Sequence, residues 1–207
     1  YNKYRDDSNT FIVGNDRRFR NTSQIVQTSI GGGNARVSAL GVASTIANLS
    51  QIKNNVYPKL PFLLKKNNNE PLTYKVEKFI SEEDSKAAQI VLNGLEKTLL
   101  PETADWNGVG TASSAFARTF DKICGYSCPV KGKTGTVSFQ AKNHTGNTLF
   151  GGLTNNKQLA ELIDSNIKIN DYKSVAIGVI VSEKGISDVT NRAADIHMKL
   201  LKYIFFD

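Results

Sequence analysis

The hydrophobic period of this chain changes near Lys133, and that change limits what it can fold into. Upstream, apolar residues recur at helical spacing; downstream they fall into short extended runs, followed by one last helical stretch. A helix is predicted over residues 38–49, with Leu40, Ala43, Ile46 and Ala47 on one face. A second is predicted over 82–100. Ser81 introduces it, with Asp84 three residues on as a variant of the capping box, and Pro101 stops it. Its apolar stripe reads as Ala87, Ile90, Val91, Leu95 and Leu99. Strands are predicted over 133–140, 148–153 and 174–181, and the Val-Ala-Ile-Gly-Val-Ile-Val run of the last reads as a central strand. Val189, Ala193, Ile196, Leu200 and Ile204 mark a closing helix, with Ser187 or Asp188 as its cap. Helices, a strand meander and a closing helix make an α+β domain with helices packed on an antiparallel sheet. The whole chain, 1–207, reads as belonging to one domain, mainly helical over 1–120 and a meander plus closing helix over 121–207.

The apolar fraction of 40% suffices for a packed core. No uninterrupted apolar stretch approaches the roughly 20 residues of a bilayer span, and Tyr1 to Asp7 lacks the apolar block of a signal peptide, so no anchor or leader is expected within these residues. A net charge of +7 is compatible with an acidic partner, but the lysines are dispersed without a block of five, which suits a solubilising surface and gives no reason to expect nucleic acid. Cys124 and Cys128 are the only cysteines. With no histidine near them they make a poor zinc site, and both a disulfide and two free thiols remain open. No metal or cofactor is expected. Lys65 to Pro71 is polar enough for an exposed loop, and His144 and His197 are isolated, His144 in a loop and His197 at the boundary of the closing helix's apolar stripe.

The densest chemistry lies in Lys131-Gly132-Lys133-Thr134-Gly135-Thr136, which runs into Val137-Ser138-Phe139. A cation, a hydroxyl and a position without Cβ stand side by side on an extended segment, a wall suited to a carboxylate. Taken alone, Lys133 also reads as a solvated lysine at a strand end, and the threonines as strand formers.

Neighbouring segments give that triplet a context. Ser29-Ile30-Gly31-Gly32-Gly33 followed by the alanine-rich stretch from Ser38 to Leu49, then Val56-Tyr57-Pro58-Lys59-Leu60, is similar in order and spacing to penicillin-binding protein transpeptidase domains. Gly108-Val109-Gly110-Thr111-Ala112 resembles the Gly-Thr-Gly-Thr-Ala segment of that family. Residues Pro129 to Thr136 resemble its Lys-Thr-Gly motif, and Leu149-Phe150-Gly151-Gly152-Leu153 sits where Trp-Phe-x-Gly-Tyr is found. Departures are Gly32 for glutamine, Ser38-Ala39 for Thr-Pro and Gly41 for a second glutamine.

The resemblance implies the transpeptidase fold shared with serine β-lactamases. It also implies a peptidoglycan D,D-transpeptidase that crosslinks stem peptides through a serine acyl-enzyme, takes the D-Ala-D-Ala end as substrate and binds β-lactams. Lys133 would supply positive potential at the nucleophile. Thr134, Gly135 and Thr136 would line the substrate carboxylate and peptide, and the Thr136 backbone N–H would serve the oxyanion hole. Such a parent works at the periplasmic or extracytoplasmic face of a bacterial inner membrane, where Cys124 and Cys128 would meet oxidising conditions.

The family's Ser-x-x-Lys and Ser-x-Asn motifs precede the glycine segment, and residues 1–28 contain neither. Ser50-Gln51-Ile52-Lys53 and Ser165-Asn166-Ile167-Lys168 match the first pattern as text but fall in the wrong place. The expectation is therefore a part of such a domain without its nucleophile, completed by its amino-terminal part or self-associating. A non-catalytic binding or scaffold member of the family is the alternative. A remoter one is a nucleotide-binding protein, since residues 127–134 miss the phosphate-loop pattern only at its first glycine. Gly31 to Gly33, with no Gly-Lys following, read as a turn that positions the next helix.

Overall fold

The computed structural model describes residues 37–54, 80–102, 108–138, 145–163, 174–184 and 192–206. The glycine segment 29–33, the 56–60 turn, the polar loop at 65–71, His144, the Ser165 match and the Ser187 and Asp188 caps lie outside them. The described residues form an α+β arrangement of five helices and three antiparallel strands.

Helix α1, Ala39–Lys53, starts where Ser38 Oγ accepts the Gly41 N–H at 3.0 Å. Helix α2, Glu82–Glu96, opens with the anticipated capping box. Ser81 Oγ accepts the Asp84 N–H at 3.0 Å, and the Asp84 carboxylate accepts the Ser81 N–H at 3.4 Å. It ends at Glu96, short of residue 100, because the chain tightens there: the N–H groups of Thr98, Leu99 and Leu100 donate three residues back, to the carbonyls of Leu95, Glu96 and Lys97. Thr98 C=O accepts from Ala112 N–H and Leu100 C=O from Gly110 N–H, which pins the turn before helix α3, Ser113–Phe120.

Strands β1, Val130–Ser138, β2, Thr145–Asn155, and β3, Ser174–Lys184, pair in the order β1-β2-β3. Lys133 lies opposite Gly151, and Gly151 opposite Gly178. Helix α4, Asn156–Ile163, follows β2 directly, with Asn155 Oδ1 accepting the Gln158 N–H at 3.1 Å. Helix α5, Arg192–Phe206, closes the described chain. Among the described residues β3 is an edge strand, not the central one its sequence suggested. Its continuous apolar run is explained by cover on both faces. Gly178 abuts the Ala39 carbonyl of α1, and Val179 joins the core beneath α5.

The larger core gathers Phe150, Val130 and Val179 of the sheet with Phe116 and Phe120 of α3 and Met198 and Leu201 of α5. A smaller one joins Ile46 of α1 to Leu92 and Leu95 of α2. Two helical stripes are rotated from their expected positions. In α2 the buried residues are Ala88, Leu92 and Leu95, followed by Leu99 just beyond it, while Ile90 and Val91 are exposed. In α5 they are Ala193, Ala194, His197, Met198 and Leu201, while Ile196, Leu200 and Ile204 stand partly exposed. In α1, Leu40 likewise faces out, and Gly41 and Ile46 face in. Each helix shows a nearly equal apolar character on two adjacent stripes, and the tertiary neighbours choose between them.

His197 is corrected from a boundary residue to a core one. It has no exposed surface, and its ring meets Phe150 edge-on with centroids 4.6 Å apart. Gly152 makes room for it, since a Cβ there would lie 2.6 Å from the imidazole.

Candidate functional site

The chemistry-bearing triplet lies on an edge strand. Among the described residues β1 pairs with β2 alone, so its other side is open. Which of its backbone groups face that side follows from one hydrogen bond. Asn155 N–H donates to the Pro129 carbonyl at 2.8 Å, which makes Pro129 and Asn155 a directly hydrogen-bonded pair. The register runs from there without a bulge, so Lys131, Lys133 and Gly135 also turn their backbone groups toward β2. Thr134 and Thr136 therefore direct their N–H and C=O groups outward.

Side chains complete this edge. The Thr134 hydroxyl is hydrogen-bonded to the Thr111 hydroxyl at 2.8 Å, which brings the turn ahead of α3 against β1. Lys133 is exposed, and its Nζ donates to the Thr134 carbonyl at 2.6 Å, so the ammonium sits at the open edge. Thr136 is exposed, and Gly135 lies against the Leu149 side chain. Lys133, Thr134, Gly135 and Thr136 thus form one strip carrying a cation, hydroxyls and two outward-facing peptide groups. Such a strip is equipped to take an extended peptide by strand addition and a carboxylate at the ammonium and hydroxyls. Thr111, not singled out as a site residue from the sequence, belongs to it; its signal was the Gly108 to Ala112 segment.

The phosphate-loop reading fails on geometry. Residues Lys131 to Thr134 lie within β1, which continues to Ser138 with no helix after Thr134. The N–H groups of a strand alternate between two sides, whereas a phosphate loop converges them on one anion.

Ser50 and Lys53 lie on the last turn of α1, the negative end of its dipole, which disfavours a serine alkoxide. They line a separate cleft with Lys131 and Glu96. Glu96 Oε1 accepts the Cys128 N–H at 2.9 Å, and its Oε2 pairs with Lys131 Nζ. Sequence reasoning missed Glu96, although a carboxylate one turn after Leu92 on a buried stripe is a signal for a partnered charge. Cys124 and Cys128 are joined as a disulfide, both buried, with Cα atoms 5.1 Å apart just ahead of β1.

Burial holds the His197 imidazole down from 6.5 to about 4, offset only in part by the backbone of Ile177. Neither ring nitrogen has a hydrogen bond of normal geometry. At neutral pH it is an uncharged core residue on the face of the sheet opposite Lys133. Among the described residues no group of three metal-ligating side chains occurs, and no helix is long and apolar enough to cross a membrane. No family model, characterised protein or solved structure matches the chain.

Proposed function

We propose that this chain is part of a peptidoglycan D,D-transpeptidase of the penicillin-binding kind, supplying the substrate-binding strand while the nucleophilic serine lies outside it. The observation that carries the reading is the hydrogen bond between Thr111 and Thr134, 23 positions apart. Two segments that each resemble a family motif meet there at one open strand edge.

In this reading the stem peptide adds to β1 as a further strand, using the outward groups of Thr134 and Thr136. The terminal carboxylate meets the hydroxyls of Thr134 and Thr136, and the Lys133 ammonium adds positive potential that favours the deprotonated nucleophile. The serine oxygen forms an ester with the carbonyl of the penultimate D-alanine, and the terminal D-alanine departs with its amine protonated. An amine of a neighbouring stem peptide then displaces the serine and closes the crosslink. The Thr136 N–H, already turned outward, is one of two donors to the oxyanion. A β-lactam enters by the same route and stays as a slow ester. The parent works on the extracytoplasmic face of a bacterial inner membrane.

Ser50 and Lys53, at the wrong end of their helix for nucleophilic chemistry, favour a second reading: a non-catalytic binding or scaffold member of the same family. Labelled penicillin separates the two. Expressed from its complete reading frame, the protein is expected to be acylated at a serine outside residues 1–207, and Lys133→Ala to slow acylation at least about 100-fold. Residues 1–207 alone are expected to stay unlabelled by mass spectrometry. A complete protein that never labels would leave the non-catalytic reading, and labelling at Ser50 would overturn both.

A further inference from the structure

The second cleft has a chemistry of its own. It lies between the ends of α1 and α2, the start of β1 and the start of α4, and encloses about 430 Å³, within the range of small-molecule sites. Lys53 and Lys131 bring two ammonium groups to its lining, and Glu96 brings one carboxylate. Both Glu96 oxygens are engaged, one by the Cys128 N–H and one by Lys131. Lys131 spends one of three ammonium hydrogens on that pair. Lys53 has no acidic group within ion-pair distance among the described residues.

The backbone adds little. Asn155 and Gln158 bring the start of α4 to the lining, where Asn155 Oδ1 already accepts the Gln158 N–H. At the opposing end of α1 two of the last carbonyls are occupied: Lys53 C=O accepts Ser85 Oγ at 2.8 Å, and Gln51 C=O accepts the Asn54 N–H at 3.0 Å. The cleft therefore draws its positive character from Lys53 and Lys131, set against the single carboxylate of Glu96. Half-buried Leu153 gives it an apolar surface that a bare inorganic anion would leave unused, Leu92 being buried in the smaller core.

We infer that this cleft binds a small organic carboxylate, its oxygens at Lys53 and Lys131 and its carbon chain against Leu153. The inference does not depend on the transpeptidase reading.

Glutarate, titrated into residues 1–207 at low salt and followed by ligand-observed NMR, is the probe, with inorganic phosphate as the second arm. Saturable glutarate binding is expected, tighter than that of phosphate. Lys53→Met is expected to weaken it about threefold to fivefold. Glu96→Gln is expected to tighten it, because it removes the competing charge and frees Lys131, an outcome opposite to that of structural damage. Absence of saturable binding, equal affinity for phosphate, or an unchanged affinity in Lys53→Met would overturn the proposal. So would weaker binding in a Glu96→Gln protein that still unfolds cooperatively; Lys53→Met, at an exposed position, keeps the test decisive if that variant does not fold.

Discussion

Acid should destabilise this fold through His197 by a predictable amount. In the folded chain its imidazole titrates at about 4, whereas an unburied histidine titrates near 6.5. Between those values the unfolded chain holds a proton that the folded chain does not, so stability rises with pH across the window. It is full above about 6.5 and is lost progressively as pH falls to about 4. The gap of about 2.5 pH units, at about 1.36 kcal/mol each, is worth about 3 kcal/mol. No solvent discount applies, since the residue has no exposed surface. Urea unfolding at pH 7.5, 6, 5 and 4 measures it, with His197→Leu as the comparison. That variant has a side chain of similar volume and removes two ring nitrogens that make no hydrogen bond of normal geometry. Carboxylates common to both proteins cancel in the difference. The wild type is expected to lose about 3 kcal/mol more than His197→Leu between pH 7.5 and 4; two parallel curves would refute the burial argument.

Gly178→Ala puts a Cβ 2.0 Å from the Ala39 carbonyl, so α1 must lift from the sheet; a loss of about 3 kcal/mol is expected in urea melts, while Gly125→Ala, with open space around it, should lie within about 0.5 kcal/mol of wild type. Ser81→Ala removes the hydroxyl half of the α2 capping box, leaving the Asp84 carboxylate on the backbone N–H, and should cost about 1 kcal/mol by the same assay. Replacing Cys124 and Cys128 together by alanine should cost about 2 kcal/mol of unfolding free energy, the entropy of a short closed loop, and an unchanged thermal midpoint would show that the bridge does not form in solution.

What the sequence made legible were the features written locally. The Ser81 and Asp84 reciprocal cap, the start of the first helix near Ser38 and the three strand centres are each set by neighbouring residues, and each is found near its expected position. Helices α3 and α4 carry only eight residues each, two turns that offer too few apolar repeats to stand out. The rotation of the α2 and α5 stripes was not legible, because Ile90 and Leu200 are as apolar as Leu92 and Leu201 and only the tertiary partner distinguishes them. His197 misled for a similar reason: a single polar residue on a stripe border is buried or exposed according to what faces it, and the glycine that admits it lies 45 residues earlier, at Gly152. At the candidate site, the run from Lys133 to Thr136 was legible as a unit, but its orientation needed the Pro129 to Asn155 bond, and Thr111 needed the fold.

The paired glycines at the centre of β2 make the sheet bare on both sides at one spot. Gly151 faces α1, where a Cβ would meet Val42 at 2.3 Å, and Gly152 faces α5, where it would meet His197. Two helices on opposite faces are thus separated there by little more than the thickness of a peptide backbone. Such a junction has almost no compliance, because there is no layer of side chains whose rotamers can absorb a displacement. A push on α5 at His197 meets the β2 backbone at Gly152, and Gly151 beside it meets α1. A bulkier residue in place of His197 is therefore expected to shift the strand that pairs with Lys133 rather than be absorbed by neighbouring rotamers.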